Sequence, residues 1–280
     1  MSELEMQKKR YAVKKAKNRL FKIIMICIIA LGLILCISPY IMNHIVMPYS
    51  IEKANESALK VNAEQIKANR ERIAKSSNNP DTDENHSESS QSQSDDYNKS
   101  ENDYDSPSDD SNISYNPMNI RSVDRVPIDA EVNYNYLVSQ LVIPSAGLNI
   151  PVLEGLTNEN LNVASGTMKP GQTPGKGNYA IAGHHMLDEN LLFTPLMRVQ
   201  KFDSVYLTDK EFVYEYVVTE TFIVPPTEGQ VIDDSQGEGI ITLVTCSDPA
   251  GTNRWIVRGK FLKSYRLDKA SQLVKSYIQI

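Results

Sequence analysis

Ile240-Ile241-Thr242-Leu243-Val244-Thr245-Cys246, followed at once by Ser247-Asp248-Pro249-Ala250-Gly251, is the stretch on which the reading of this chain turns. Seven uncharged residues, β-branched in the main and apolar in both alternating sets, describe a strand covered on both faces, hence central in its sheet. The Asp, Pro and Gly that follow make a turn. Cys246 therefore stands where a buried strand meets a loop, rigid on one side and open on the other, a good mount for a nucleophile.

Working outward, the whole C-terminal part shares this texture. From about Val126, short β-branched and aromatic runs alternate with Gly, Pro, Asn and Asp, the pattern of an all-β sandwich or barrel. Strands are expected at 137–143, 178–182, 204–207, 212–219, 240–246 and 255–261. Alternation in 212–219 puts Phe212, Tyr214, Tyr216 and Val218 on one face. Short helices are expected at 158–163 and 190–197, the second burying Leu191, Leu192, Leu196 and Met197, with a terminal helix over 267–278.

Of three cysteines, Cys27 and Cys36 lie in an apolar run near the N-terminus, so Cys246 has no disulfide partner in the folded part. A single thiol reads either as a reactive group or as a small buried hydrophobe. Of four histidines, His44 and His86 lie outside this part, leaving His184 and His185 after the strand Tyr179-Ala180-Ile181-Ala182 and Gly183. An imidazole beside a thiol can act as its base and then protonate a leaving amine. The formal net charge of −6 and the lack of a basic face argue against a nucleic-acid partner. No Cys/His spacing marks a transition-metal site, and no cofactor is expected.

Three motifs in order resemble the sortase family: Thr242-Leu243-Val244-Thr245-Cys246 looks like its TLxTC signature, Ala182-Gly183-His184 its strand-end histidine, and Arg254 opens the next strand. The resemblance runs from about Leu137 to Phe261. It implies a closed eight-stranded β-barrel with short helices, and a transpeptidase that cleaves LPxTG-type sorting signals between Thr and Gly. Cys246 would form the thioacyl intermediate, His184 protonate the leaving amine, Arg254 hold the oxyanion, and Thr245 line the substrate site. The acceptor implied is an amine of a cell-wall peptidoglycan precursor, and the protein substrates are surface proteins bearing the motif. His184 is favoured over His185, read as an exposed loop residue; Arg258 is read as a surface charge and Asp248 as a loop former. A single N-terminal anchor and no Asp-Pro-aromatic lid motif resemble the class A enzymes. Glu154 and Glu159 are the only acids in 154–176, so a calcium site there is not expected. Two rival readings are a surface cysteine peptidase and an anchored binding domain with an incidental thiol.

Ile23 to Ile51 contains no Lys, Arg, Asp or Glu, long enough to cross a bilayer. Eight Lys and Arg between Lys8 and Lys22 precede it, against Glu3 and Glu5, and the positive-inside rule keeps such a cluster cytoplasmic. The organisation expected is a basic cytoplasmic tail (1–22), a single-pass anchor (23–47), a helical stalk (48–76), an acidic disordered linker (77–125) and an extracytoplasmic catalytic domain (126–280). In the stalk Leu59, Ile66 and Ile73 recur every seven residues on one helical face. The linker is too polar to offset chain entropy.

Overall fold

The computed structural model describes residues 3–77, 113–234, 237 and 239–278, so most of the expected acidic linker lies outside the described residues. The chain forms two compact units, Met1–Ser50 and Ile51–Ile280. The first is built on the 39-residue helix α1 (Glu3–Ile41). One π-type turn, Met42–Val46, leads from it into α2 (Met47–Leu59). Among the described residues this is the one helix long and apolar enough to cross a membrane.

The second unit is a closed eight-stranded barrel. Its strands are β2 (Leu137–Ile143), β3 (Leu148–Leu153), β4 (Ser165–Thr167), β5 (Asn178–Ala182), β7 (Ser204–Thr208), β8 (Phe212–Val224), β9 (Ile240–Cys246) and β10 (Arg254–Arg266). They run in the order β10-β8-β7-β2-β3-β4-β5-β9, and β9 closes the ring on β10. All neighbours are antiparallel except β3–β4 and β5–β9. Closure leaves no unpaired edge. A separate two-stranded parallel pair joins β1 (Ser122–Val123) to β6 (His185–Met186).

The double-sided apolarity of β9 has a structural counterpart on each face. Alternation puts Ile241, Leu243 and Thr245 on one side and Thr242, Val244 and Cys246 on the other. Val244 and Cys246 join Ala180, Ala182 and Ile256 in an apolar floor covered by Ile120, Leu156, Leu161 and Met168. Leu161 comes from α4 (Asn158–Val163), whose N-cap is Thr157, its hydroxyl accepting from the Asn160 amide at 3.2 Å. The hydroxyl takes up an amide that the first helical turn leaves unpaired.

Two local expectations are corrected. Residues 190–197 form no α-helix; a 3₁₀ turn at Thr194–Arg198 buries Leu196, while Met197 is exposed. Pro195 at its start cannot donate to a longer helical ladder. In β8 the buried residues are Val213, Tyr216 and Val218, which do not share one face. Val213 is covered from outside by Leu267, Ala270, Val274 and Ile278, the last two on α5 (Gln272–Ile278). The terminal segment thus hides a position that strand periodicity alone would leave in water.

α3 (Ala63–Ser77) lies on the barrel. Its Ile66 packs with Leu137, Leu153, Val163 and Ala164. Asn69, buried beside it, donates to the carbonyls of Tyr134 (2.6 Å) and Leu137 (2.9 Å). Arg70 pairs with Asp209 at 3.0 Å.

Candidate active site

Cys246, His184 and Arg254 come from three adjacent strands or their ends. β9 lies between β5 and β10 in the ring. On one side Cys246 is the direct cross-strand partner of Arg254. On the other, Ala182 pairs with Val244, and the Gly183 amide extends that ladder to the Val244 carbonyl at 3.1 Å. His184 follows, at the same end of β9 as Cys246. Strand pairing thus sets Arg254, 8 positions on, directly across from the cysteine and carries the Gly183-His184 turn, 62 positions back, to the end of the strand that bears it.

Gly183 is required by close approach. A Cβ there would stand 2.6 Å from the Phe193 ring, and the Phe193 amide donates to the His184 carbonyl at 3.0 Å. Thr245, expected at the substrate site, is turned to the face of β9 opposite Cys246 by the two-residue period of the strand. It is fully buried, and its hydroxyl donates to the Gly183 carbonyl at 2.9 Å. It braces the histidine loop from behind.

The Arg254 Nη1 stands 3.5 Å from Cys246 Sγ and donates to the Gly251 carbonyl at 3.1 Å. Asp248 shapes the intervening loop: its carboxylate accepts from the Thr252 hydroxyl (2.6 Å), the Ser247 hydroxyl (2.9 Å) and the Ala250 amide (2.9 Å). Those donors, the Thr252 hydroxyl first, hold its pKa down to about 2. Arg258 pairs with Glu220 at 3.3 Å and lies over the Phe222 ring. His185, expected to be exposed, is buried in β6.

All three principal side chains are enclosed: Cys246 is 0% exposed, His184 2% and Arg254 9%. Burial pushes the Cys246 thiol up, with the Arg254 charge opposing it. Burial likewise pulls His184 down to about 4. Both directions favour a neutral thiol beside a neutral imidazole, because each ion would lose its hydration.

The enclosure comes from a segment the sequence reading had assigned to the linker. The Ile120 carbonyl accepts from Arg254 Nη2 at 3.3 Å and lies 3.8 Å from Cys246 Sγ. The Arg121 amide donates to His184 Nδ1 at 3.1 Å. The available signal was Ile113, the first aliphatic residue after the run 77–112, followed by Met118, Ile120 and Val123. A cavity of about 430 Å³ between α3 and the barrel, lined by Arg70, Glu154, Tyr179 and Asp209 among others, includes none of the three residues. Among the described residues no group of three His, Cys, Asp or Glu is disposed to hold a metal.

The family model described as the sortase domain matches residues 141–262, from β2 to β10. Sortase A of Listeria monocytogenes is 40% identical over 163 residues, covering 57% of this chain and 72% of that protein. Sortase A of Streptococcus agalactiae is 37% identical over 183 residues, covering 61% and 74%. The chain belongs to the sortase family. The relatives make it a class A sortase, a cysteine transpeptidase of the kind that anchors surface proteins. A solved structure of Listeria monocytogenes sortase A is also similar, with 41% identity and a TM-score of 0.49 over 52% of this sortase and 99% of that chain. The matched region of the sortase contains His184, Cys246 and Arg254; residues 113–123 and α3 lie before it.

Proposed function

We propose that this sortase cleaves LPxTG-type sorting signals between threonine and glycine and transfers the acyl group to an amine of a peptidoglycan precursor. Cys246 is the nucleophile, His184 the proton carrier and Arg254 the partner of the oxyanion. The observation that carries this reading is the arrangement of Cys246 between Arg254 and the Gly183-His184 turn on neighbouring strands.

Cys246 Sγ passes its proton to His184 and attacks the threonine carbonyl carbon. The carbonyl oxygen takes the negative charge and meets the Arg254 guanidinium, which supplies attraction where charge appears. Collapse breaks the carbon–nitrogen bond, and the glycine nitrogen leaves with the proton held by His184. The acceptor amine then attacks the thioester, giving up a proton to His184, and Sγ departs to recover it. Thr245 acts behind this set, holding Gly183 and so positioning the imidazole.

The same reading makes α1 a single-pass anchor with the basic N-terminal residues in the cytoplasm and residues 51–280 outside. The eight Lys and Arg ahead of the apolar run support it. The test uses residues 51–280, a fluorogenic LPxTG peptide and a panel of short amines. Amine-linked product that disappears in Cys246→Ala and His184→Ala is expected. Release of free acid alone in the presence of those amines would make the protein a peptidase instead.

A further inference from the structure

Cys246 is the last residue of β9, so the strand floor that leads to it lies on one side of the thiol. On β10, Arg254, Ile256 and Arg258 stand across from Cys246, Val244 and Thr242; on β5, Ala182 and Ala180 stand beside Val244 and Thr242. Strand side chains alternate, so all of these residues face the way Cys246 faces. Near the thiol the floor is apolar, formed by Ala182, Val244 and Ile256. It ends in a polar pair, Thr242 and Arg258.

That pair holds donors with nothing to meet. Thr242 is 0% exposed, and its hydroxyl has no hydrogen-bond partner among the described residues. A guanidinium carries five N–H donors. Arg258 directs Nη1 to Glu220 at 3.3 Å and Nη2 to the Val231 carbonyl at 3.1 Å, with the Phe222 ring 5.0 Å from Cζ. Its Nε is buried and has no partner among the described residues. The Val231 carbonyl belongs to the 3₁₀ turn Gly229–Ile232, which Asn178 also holds by donating to the Val231 and Asp233 carbonyls at 3.1 Å each. The cation is therefore fixed by backbone and an aromatic ring. Its ion pair with Glu220, whose side chain is 53% exposed, contributes little to that. A buried donor left without an acceptor is costly, and a ligand that supplies the acceptor removes the cost.

Thr242 lies four residues before Cys246, about 13 Å along the strand. The leucine and proline of an LPxTG signal suit the apolar floor, and a residue before proline is held in extended backbone. With the threonine carbonyl at Cys246, the residue that precedes the leucine then reaches Thr242 and Arg258. We propose that Arg258 is a specificity-determining residue that, with the Thr242 hydroxyl as its cross-strand neighbour, receives a carboxylate side chain on the residue immediately before the LPxTG motif. The proposal rests on the function proposed above. The carboxylate meets the Nε edge of the guanidinium, where a charge-assisted hydrogen bond is strong. Glu220 stays as a like-charged neighbour that limits the preference.

The test uses the full chain in detergent and three fluorogenic peptides that differ only in the residue before LPxTG, which is Glu, its isostere Gln, or Lys. At low ionic strength kcat/KM is expected to be about fivefold or more higher for the Glu peptide than for the Gln peptide, and lowest for the Lys peptide. The difference should lie in KM. It should fall to about unity in Arg258→Gln and widen in Glu220→Gln. An arginine that merely braced the Gly229–Ile232 turn would instead lower kcat/KM by one common factor for all three peptides when replaced. Equal kcat/KM for the Glu and Gln peptides in the wild type, or a preference that persists in Arg258→Gln with wild-type circular dichroism, would overturn the proposal. Anisotropy of the same peptides, fluorescein-labelled, on Cys246→Ala separates the two readings. Tighter binding of the Glu peptide by a protein whose wild type cleaves none of them would keep the subsite and remove the assigned reaction. Cleavage without preference would remove the subsite alone.

Discussion

At the scale of single residues, burial shifts two ionisable groups, His184 and Glu154, in opposite directions in their contribution to stability. His184 is pulled from 6.5 to about 4 on folding, burial being the largest cause. A depressed histidine pKa means that the unfolded chain binds the proton more tightly, so stability falls as pH drops from about 6.5 to about 4. The shift corresponds to about 3 kcal/mol at most. Glu154, raised chiefly by burial, acts in the opposite sense, since it is stabilising below the ordinary carboxylate range and loses that as pH rises. His184→Gln should therefore flatten the acid side of a plot of Tm against pH without removing the slope owed to Glu154; an unchanged acid limb would show that His184 is not buried neutral. Arg254 contacts Sγ and the Gly251 carbonyl through Nη1 and the Ile120 carbonyl through Nη2. A lysine cannot reproduce that fork. Arg254→Lys should lower kcat by roughly 10²-fold or more with a smaller change in KM, as measured by steady-state peptide cleavage.

At the scale of elements, each site residue is as well placed as the strand that carries it. Gly183→Ala would drive a methyl into the Phe193 ring, whose neighbours are packed, so the turn must move. The expected result is an enzyme that folds with a lower Tm and a kcat reduced at least about tenfold, since about 1 Å of misplacement of a reacting group is costly. Thr245→Val tests the brace from the other side: it keeps the shape, removes the donor to the Gly183 carbonyl, and should cost about 1–3 kcal/mol in urea unfolding. Element reading also shows where periodicity misleads. Val213 sits on the outer face of β8 and is buried only because α5 and the turn before it dock there.

At the scale of the whole molecule, the compact unit that contains the barrel runs from Ile51 and includes α3. α3 covers Leu137, Leu153, Val163 and Ala164 with Ile66, and Asn69 satisfies two carbonyls of the segment that leads into β2. Truncating a buried Ile of this kind costs about 2–5 kcal/mol. A fragment of residues 126–280 should therefore melt well below one of residues 51–280, and its Cys246 should alkylate faster because it also lacks Ile120. Equal melting temperatures for the two fragments would show that α3 adds nothing to the barrel.

The sequence by itself determined what depends on near neighbours along the chain. Uniform apolarity of 240–246 made β9 a central strand, and the turn after Cys246 put the thiol at its end. The four-residue set Ala182-Gly183-His184 with Arg254 was readable because each residue stands at a strand terminus, a local feature. Tertiary structure alone decided that β5 runs parallel beside β9, that α3 lies on the barrel, and that Ile120 fills the hollow beside Cys246. These contacts join residues separated by 62 to 134 positions, as in the bonds from Gly183 to Thr245 and from Ile120 to Arg254. Residues 113–123 are too short and too polar to declare a structure of their own; their order comes from surface already formed by other strands, which no periodicity within the segment can announce.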